Sequence, residues 1–298
     1  MATEAVRMVL APPNLARRWF SNLRGTGVPW LSVIVIACLA IAALGGEAIA
    51  PWDPNALDLA NVFKPPVWAE AGSISHPLGT DNLGRDIFSR IIAGARVSFT
   101  VSLYVILLSG GVGALVGLVA GYFGGIVDAV LMRIADIQMS IPSLALALML
   151  AAVLRPSFST VVTVIVITYW TWYARIVRGE VLSLKDRDYV ALARIAGCSA
   201  ITILRRHLLP NIANTLLVLA TLQVGQVIVF EASLSFLGLG IQQPDVSWGL
   251  MLADARGYMT KAWWLIAMPG VVIMLTCLSC NLVGDWLRDT LDPKRKQR

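Results

Sequence analysis

The run Val97-Ser-Phe-Thr-Val-Ser-Leu-Tyr-Val-Ile-Leu-Leu-Ser-Gly-Gly-Val-Gly113-Ala-Leu-Val-Gly117-Leu-Val-Ala-Gly121-Tyr-Phe-Gly-Gly-Ile-Val127 carries no charged side chain. A helix needs roughly 17–25 apolar residues to cross a bilayer, and this run is longer than that. Backbone polar groups find no water in lipid, so the run must be helical. Gly113, Gly117 and Gly121 recur every fourth residue and line one helix face. Small residues at that spacing let a second backbone approach closely. The spacing predicts tight helix packing, within this chain or against a partner, and not a chemical site.

Five more runs read the same way: Gly25–Gly46, Ile137–Leu154, Pro156–Ala174, Leu208–Phe230 and Ala262–Gly284. Their apolar residues do not alternate with polar ones, which argues against a membrane β-barrel. The expectation is an all-α, polytopic membrane protein with six transmembrane helices. Composition agrees. Of the 298 residues, 57% are hydrophobic and 14% charged, against roughly 25% charged in a soluble domain. Mean hydropathy is +0.72. Too few polar side chains exist to cover a water-soluble globule. A soluble enzyme, a disordered chain and a disulfide scaffold are thereby excluded.

The basic start and the small residues near Ala48-Ile49-Ala50 suggest a signal peptide, but the apolar core exceeds the roughly 7–15 residues of a signal h-region. We read it as a retained anchor. Six spans put both termini on one side. That side carries 17 of the 24 Lys and Arg residues, so the positive-inside rule makes it cytoplasmic. The expected organisation follows. Residues 1–29 form a cytoplasmic tail, 30–49 the first helix and 50–96 an extracytoplasmic segment. Residues 97–284 form a core of five helices, with a cytoplasmic loop at 175–210 and an extracytoplasmic loop at 240–261. Residues 285–298 form a second cytoplasmic tail. Basic residues that border a membrane account for the pI of about 9.4 without nucleic acid. Trp30, Trp52, Tyr122, Trp170, Trp172, Trp263, Trp264 and Trp286 fall near expected span ends, as an interfacial belt does.

The segment from Arg175 to Pro210 is basic and amphipathic. Asp188 can cap a helix over Tyr189–Ala196, and Gly197 can stop it in a left-handed conformation. Ser199 can cap a second helix, in which Ile201, Leu204 and Leu208 form one apolar face. Such a knob either docks a partner or rests on the membrane surface. Glu231 reads as an interruption of the fifth span, between Leu208–Phe230 and Ala232–Gly240. With Gln223 and Gln226 it forms a candidate polar face, lining a pathway or simply satisfied by neighbouring backbone.

No G-x-x-x-x-G-K-[ST], H-E-x-x-H or G-x-S-x-G occurs. Asp128 and Asp136 fall in what reads as a short, solvated inside turn. Cys277 and Cys280 have C-x-x-C spacing, but no second pair completes a metal site. We read them as small hydrophobes. No metal site and no catalytic residue is expected.

Four blocks resemble a known family. They are His76-Pro-Leu-Gly-Thr-Asp81-Asn-Leu-Gly-Arg-Asp86-Ile-Phe-Ser-Arg90; Tyr189-Val-Ala-Leu-Ala-Arg-Ile-Ala-Gly197 through Arg206-His-Leu-Leu-Pro210-Asn; Glu231-Ala-Ser-Leu-Ser-Phe-Leu-Gly-Leu-Gly240 with Ser247-Trp-Gly-Leu-Met-Leu252; and Asn281 through Pro293. Their order and spacing are similar to the C-type membrane permease subunit of dipeptide, oligopeptide and nickel ABC importers. The resemblance implies the type I ABC importer permease (MetI-like) fold in a bacterial inner membrane. It implies a complex with a second homologous permease, two cytoplasmic ATPases that hold ATP and Mg, and an extracytoplasmic solute-binding protein. This chain would hold no cofactor of its own. The segment ending at Pro210 corresponds to the family's EAA loop, whose coupling helix docks on an ATPase. Ala191, Leu192, Ala193, Arg194, Gly197, Arg205, Arg206, Leu209 and Pro210 are carried over as docking residues. The usual Glu-Ala-Ala reads Ala191-Leu192-Ala193 here, so the glutamate is missing and any ion pair it makes is put in doubt. A self-sufficient secondary transporter would need several buried charges, and only Glu231 qualifies. Dipeptides, oligopeptides, glutathione, opines and nickel chelates all remain open as substrates.

Overall fold

The computed structural model describes residues 27–291; most of the expected N-terminal tail and the last seven residues of the C-terminal one lie outside them. Nine helices carry the described chain: α1 (Trp30–Gly45), α2 (Ile87–Phe123), α3 (Gly125–Met139), α4 (Ser143–Val153), α5 (Phe158–Leu184), α6 (Asp188–Ile195), α7 (Ala200–Phe236), α8 (Trp248–Ala255) and α9 (Trp264–Leu291). Short 3₁₀ turns join some of them, and no strand occurs among the described residues. Five helices are long and apolar enough to cross a membrane, and α3 with α4 makes a sixth span only as a pair bent by 85°.

The expected third span, Ile137–Leu154, is therefore not one helix. Pro142 has no amide and disfavours helical geometry in Ile141. The chain breaks at Ser140-Ile141-Pro142 and restarts at Ser143. Several other boundaries move outward, although the first helix is shorter than its expected run. Helix α2 starts at Ile87, ten residues before the expected span start at Val97, because Asp86 caps it: its carboxylate accepts from the Ser89 amide at 2.8 Å and the Ser89 hydroxyl at 2.7 Å. Its 37 residues span about 55 Å, well beyond a hydrocarbon core. Helix α5 continues past Ala174 to Leu184, so the first ten residues of the expected loop 175–210 are helical. Trp170 and Trp172 consequently sit in mid-helix and not at a helix end. Nor are Asp128 and Asp136 in a solvated turn. They lie on α3, where Asp128 takes a two-pronged pair from Arg178 and Asp136 pairs with Arg175.

The glycine ladder sets the tightest crossing. A Cβ on Gly113 would lie 2.5 Å from the Tyr173 Cβ, and one on Gly117 or Gly121 would lie 2.8 Å from that of Val177 or Val181. Hydrogen atoms on α2 therefore let α5 lie directly against it. Lys185 closes this pair at one end, donating to the Gly121 carbonyl at 3.1 Å. At the other end α8 inserts between α2 and α7. Trp248 is fully buried over Gly94 and donates to the Ile91 carbonyl at 2.9 Å, while Gly249 abuts Ala232. Helix α9 packs along α7, where the Cys277 thiol donates to the Gly225 carbonyl at 3.3 Å. All four cysteines are free thiols.

Candidate functional site

The segment after α5 folds back as a knob. Residues 185–187 turn the chain, and α6 starts at Asp188 itself, one residue earlier than expected. Asp188 is thus the first helical residue and not its cap. A negative side chain still suits that end of the helix dipole. Gly197 takes φ +75°, and the Cys198 amide donates back to the Ala193 carbonyl at 3.0 Å, closing the helix as a left-handed glycine does. Ser199 then caps α7, accepting from the Thr202 amide at 3.3 Å.

The apolar face of the second helix differs from the expected Ile201, Leu204 and Leu208. Ile203–Leu208 is a π turn, which adds a residue and shifts the register. Ile203, Leu208 and Ile212 are fully buried, Leu204 is half-buried, and Ile201 is 67% exposed. Val190 and Ala193 of α6 join the buried set, packing with Val177 and Val181 of α5. The knob is thereby fixed to α5 and α7 through its inner face.

Its outer face is apolar and uncovered. Leu192 is 64% and Ile195 83% exposed, and Tyr189 and Ile201 are exposed as well. Ala191, Arg194, Arg205, Arg206, Leu209 and Pro210 are also exposed, whereas Ala193 faces inward. The Arg194 guanidinium lies over the Tyr122 ring, 5.5 Å from its centroid, which ties the knob to the end of α2.

Gln223, Gln226 and Glu231 are not brought together. All three lie on α7, which runs unbroken to Phe236, so Glu231 does not interrupt it. Gln223 and Glu231 are buried and Gln226 is exposed. The Glu231 Oε1 accepts from the Ser235 hydroxyl at 2.7 Å and the Ser247 hydroxyl at 2.9 Å. Ser247 caps α8, so Glu231 anchors that short helix.

At the same end sits a buried charge network that composition alone did not reveal. Arg85 pairs with Asp81 at 2.6 Å and with Asp254 at 3.3 Å, and Arg90, 1% exposed, donates to the Pro54 carbonyl at 3.2 Å. His76 pairs with Asp86 at 3.0 Å and stacks near Trp52. Trp264 donates to the Thr80 carbonyl at 3.1 Å. The block from His76 to Arg90 thus locks residues 50–86 onto the start of α2, the end of α8 and the start of α9.

A family model, the binding-protein-dependent transport system inner membrane component, matches residues 113–297. The chain belongs to that family. The dipeptide transport system permease protein DppC of Haemophilus influenzae is 38% identical over 94% of each chain. The probable D,D-dipeptide transport system permease protein DdpC of Escherichia coli is 40% identical over 91% of this chain and 89% of its own. The nickel transport system permease protein NikC of Escherichia coli is 40% identical over 88% of this chain and 93% of its own. Among solved structures, the MetNI methionine ABC transporter in an inward-facing conformation is similar with a TM-score of 0.56, covering 68% of this chain and 97% of that one at 17% identity. That likeness shows the fold. As a member of the family, this permease is an inner-membrane component of an ABC importer.

Proposed function

We propose that this permease forms half of the translocation pathway for peptides or related small solutes, and that it hydrolyses no ATP itself. The observation that carries this reading is the exposed face of the knob: Leu192, Ile195 and Ile201 stand in the open on a base held rigid by Val190, Ala193, Ile203 and Leu208. An apolar surface of that kind is a protein interaction site. Its occupant is a cytoplasmic ATPase, and rigidity is what makes the contact useful. When two ATPases close on ATP, a knob clamped to α5 and α7 moves those helices with it, a rigid-body transition. Arg194, Arg205 and Arg206 supply the charged rim in place of the absent glutamate at Ala191. A second permease completes the pathway. Residues 50–86 and 240–261, held by the Arg85 and Arg90 network and by Glu231, face the extracytoplasmic binding protein that delivers the solute.

Reconstitution tests this directly. The chain, its second permease and the two ATPases in proteoliposomes should take up a dipeptide only when both ATP and the binding protein are present. Uptake driven by an ion gradient, with no ATP, would favour a self-sufficient transporter instead.

A further inference from the structure

The end of α1, the first third of α2, the start of α5 and the segment at 244–246 enclose a cavity of about 270 Å³. That is close to the lower end of the roughly 300–1,000 Å³ of small-molecule sites. Its floor is apolar: Ala93 and Val246 are buried in the core that Trp248 fills, and Phe158, met edge-on by Tyr104, forms a wall. Three charged side chains line the same space. Glu47 comes from the turn that ends α1, Arg96 from α2 and Asp245 from the segment before α8. An apolar body with a few converging polar groups is the usual make-up of a ligand site.

None of the three charges is used by the fold. Arg85, Arg90, Arg175 and Arg178 each face a carboxylate. Arg96 forms no ion pair, and its guanidinium donates to no acceptor among the described residues. The Glu47 and Asp245 carboxylates likewise accept from no donor among the described residues. Charges of opposite sign around one cavity attract, so walls that kept them apart must be firm. Glu47 is held in a 3₁₀ turn directly after α1. Gly46, at φ +49°, makes room for Arg96: a Cβ there would lie 3.3 Å from the Arg96 Cδ and 3.6 Å from its Nη1. Asp245 sits between the buried Val246 and Pro244, whose carbonyl accepts from the Asn55 side-chain amide at 3.2 Å. One cation and two anions are thereby held apart across an apolar floor.

We propose that this cavity binds a small zwitterion, with its anionic group on Arg96 and its ammonium between Glu47 and Asp245. The proposal rests on the importer reading above, under which the zwitterion is a short peptide entering between the two extracytoplasmic segments. A phosphatidylethanolamine headgroup carries the same pair of charges, and the test separates the two sources.

The complete transporter is assembled in nanodiscs from a chain in which Cys38, Cys198, Cys277 and Cys280 are replaced and Thr100→Cys, on the cavity wall, is introduced. Labelling by uncharged N-ethylmaleimide is timed with and without alanyl-alanine, its C-terminal amide or its N-acetyl derivative. The ratio taken within each variant cancels changes in thiol reactivity. We expect alanyl-alanine to slow labelling saturably, and Arg96→Gln to raise its half-protecting concentration about tenfold, as loss of one charge-assisted hydrogen bond does. The amide lacks the carboxylate, so it should protect weakly and be indifferent to Arg96→Gln. The N-acetyl peptide lacks the ammonium, so it should be indifferent to Glu47→Gln with Asp245→Asn. Ser75→Cys, on the exposed outer segment, should label at one rate with or without peptide. Protection by none of the peptides, equal protection by all three, or no labelling of Thr100→Cys overturns the proposal. Labelling that is slow in phosphatidylethanolamine discs, fast in phosphatidylglycerol discs and blind to peptide in both assigns the cavity to a lipid headgroup and overturns it as well. ATP-driven uptake by the unmodified chain, run alongside, separates this failure from failure of the importer reading.

Discussion

A Cβ on Gly197 would meet no neighbouring atom, so a substitution there disturbs backbone conformation and not packing. At φ +75° a β-branched residue is strained by about 1–2 kcal/mol. Gly197→Val should therefore tilt α6, and uptake should fall several-fold relative to ATP hydrolysis while the chain still inserts. Gly197→Asn, which tolerates the left-handed region, should lose much less. Unchanged coupling in Gly197→Val would contradict the assignment of α6. Glu231 behaves in the opposite way, through its contacts. Glu231→Ala leaves the Ser235 and Ser247 hydroxyls without their buried acceptor, at about 1–3 kcal/mol. The melting temperature of the purified complex should drop and the 237–247 segment should become more sensitive to protease. Glu231→Gln keeps an oxygen in place and should melt near wild type. An altered KM for uptake in Glu231→Gln at unchanged melting would instead put Glu231 in the pathway. At this scale the sequence was read well where one residue dictates one torsion, as at Gly197 and the Ser199 cap. It was read poorly where partners come from far away. Gln223, Gln226 and Glu231 share a helix, but nothing local to them says that Ser247, sixteen residues past Glu231, would close on the carboxylate.

The α2–α5 crossing is set by absent side chains. A Cβ on Gly117 would come within 2.5 Å of the Ala174 carbonyl oxygen, whereas one on Gly111 would touch nothing. Gly117→Leu should force the helices apart and destabilise the chain by about 3 kcal/mol or more, visible as loss of folded protein from membranes. Gly111→Leu, six residues earlier on the same helix, should accumulate normally. Equal accumulation of the two variants would mean that the ladder does not set this contact. The glycine period was legible because it repeats at helical spacing. Two irregular elements were not read from the sequence. The π turn at Ile203–Leu208 leaves no mark in composition and shows only as burial of Ile203 and Leu208, five residues apart. The break at Pro142 did carry a signal, a proline five residues into the expected third span, but hydropathy averaged across it. Hydropathy also stopped α5 at Arg175, although Arg175 and Arg178 are neutralised by Asp136 and Asp128 on the neighbouring helix.

Across the whole molecule, two rigid ends flank the spans. One is the charge network that joins residues 50–86 to α2, α8 and α9; the other is the knob clamped between α5 and α7. A solute arriving at the first and an ATPase at the second would be linked by helices of about 40–55 Å whose crossing is set by glycine. The class of protein was evident from composition, whereas a division of labour with separate ATPases came only from the family resemblance of blocks such as Tyr189–Gly197. The solute was not legible, since no charged constellation in the spans singles one out. The most direct test of the account is co-purification of the ATPases with this chain from mild-detergent membranes. Wild-type chain should bring them down in stoichiometric amount. A Leu192→Asp, Ile195→Asp double variant should insert equally, retain the second permease and lose the ATPases. ATPases that remain bound to this double variant, or that never accompany the wild-type chain, would contradict the assignment of the knob as the coupling element.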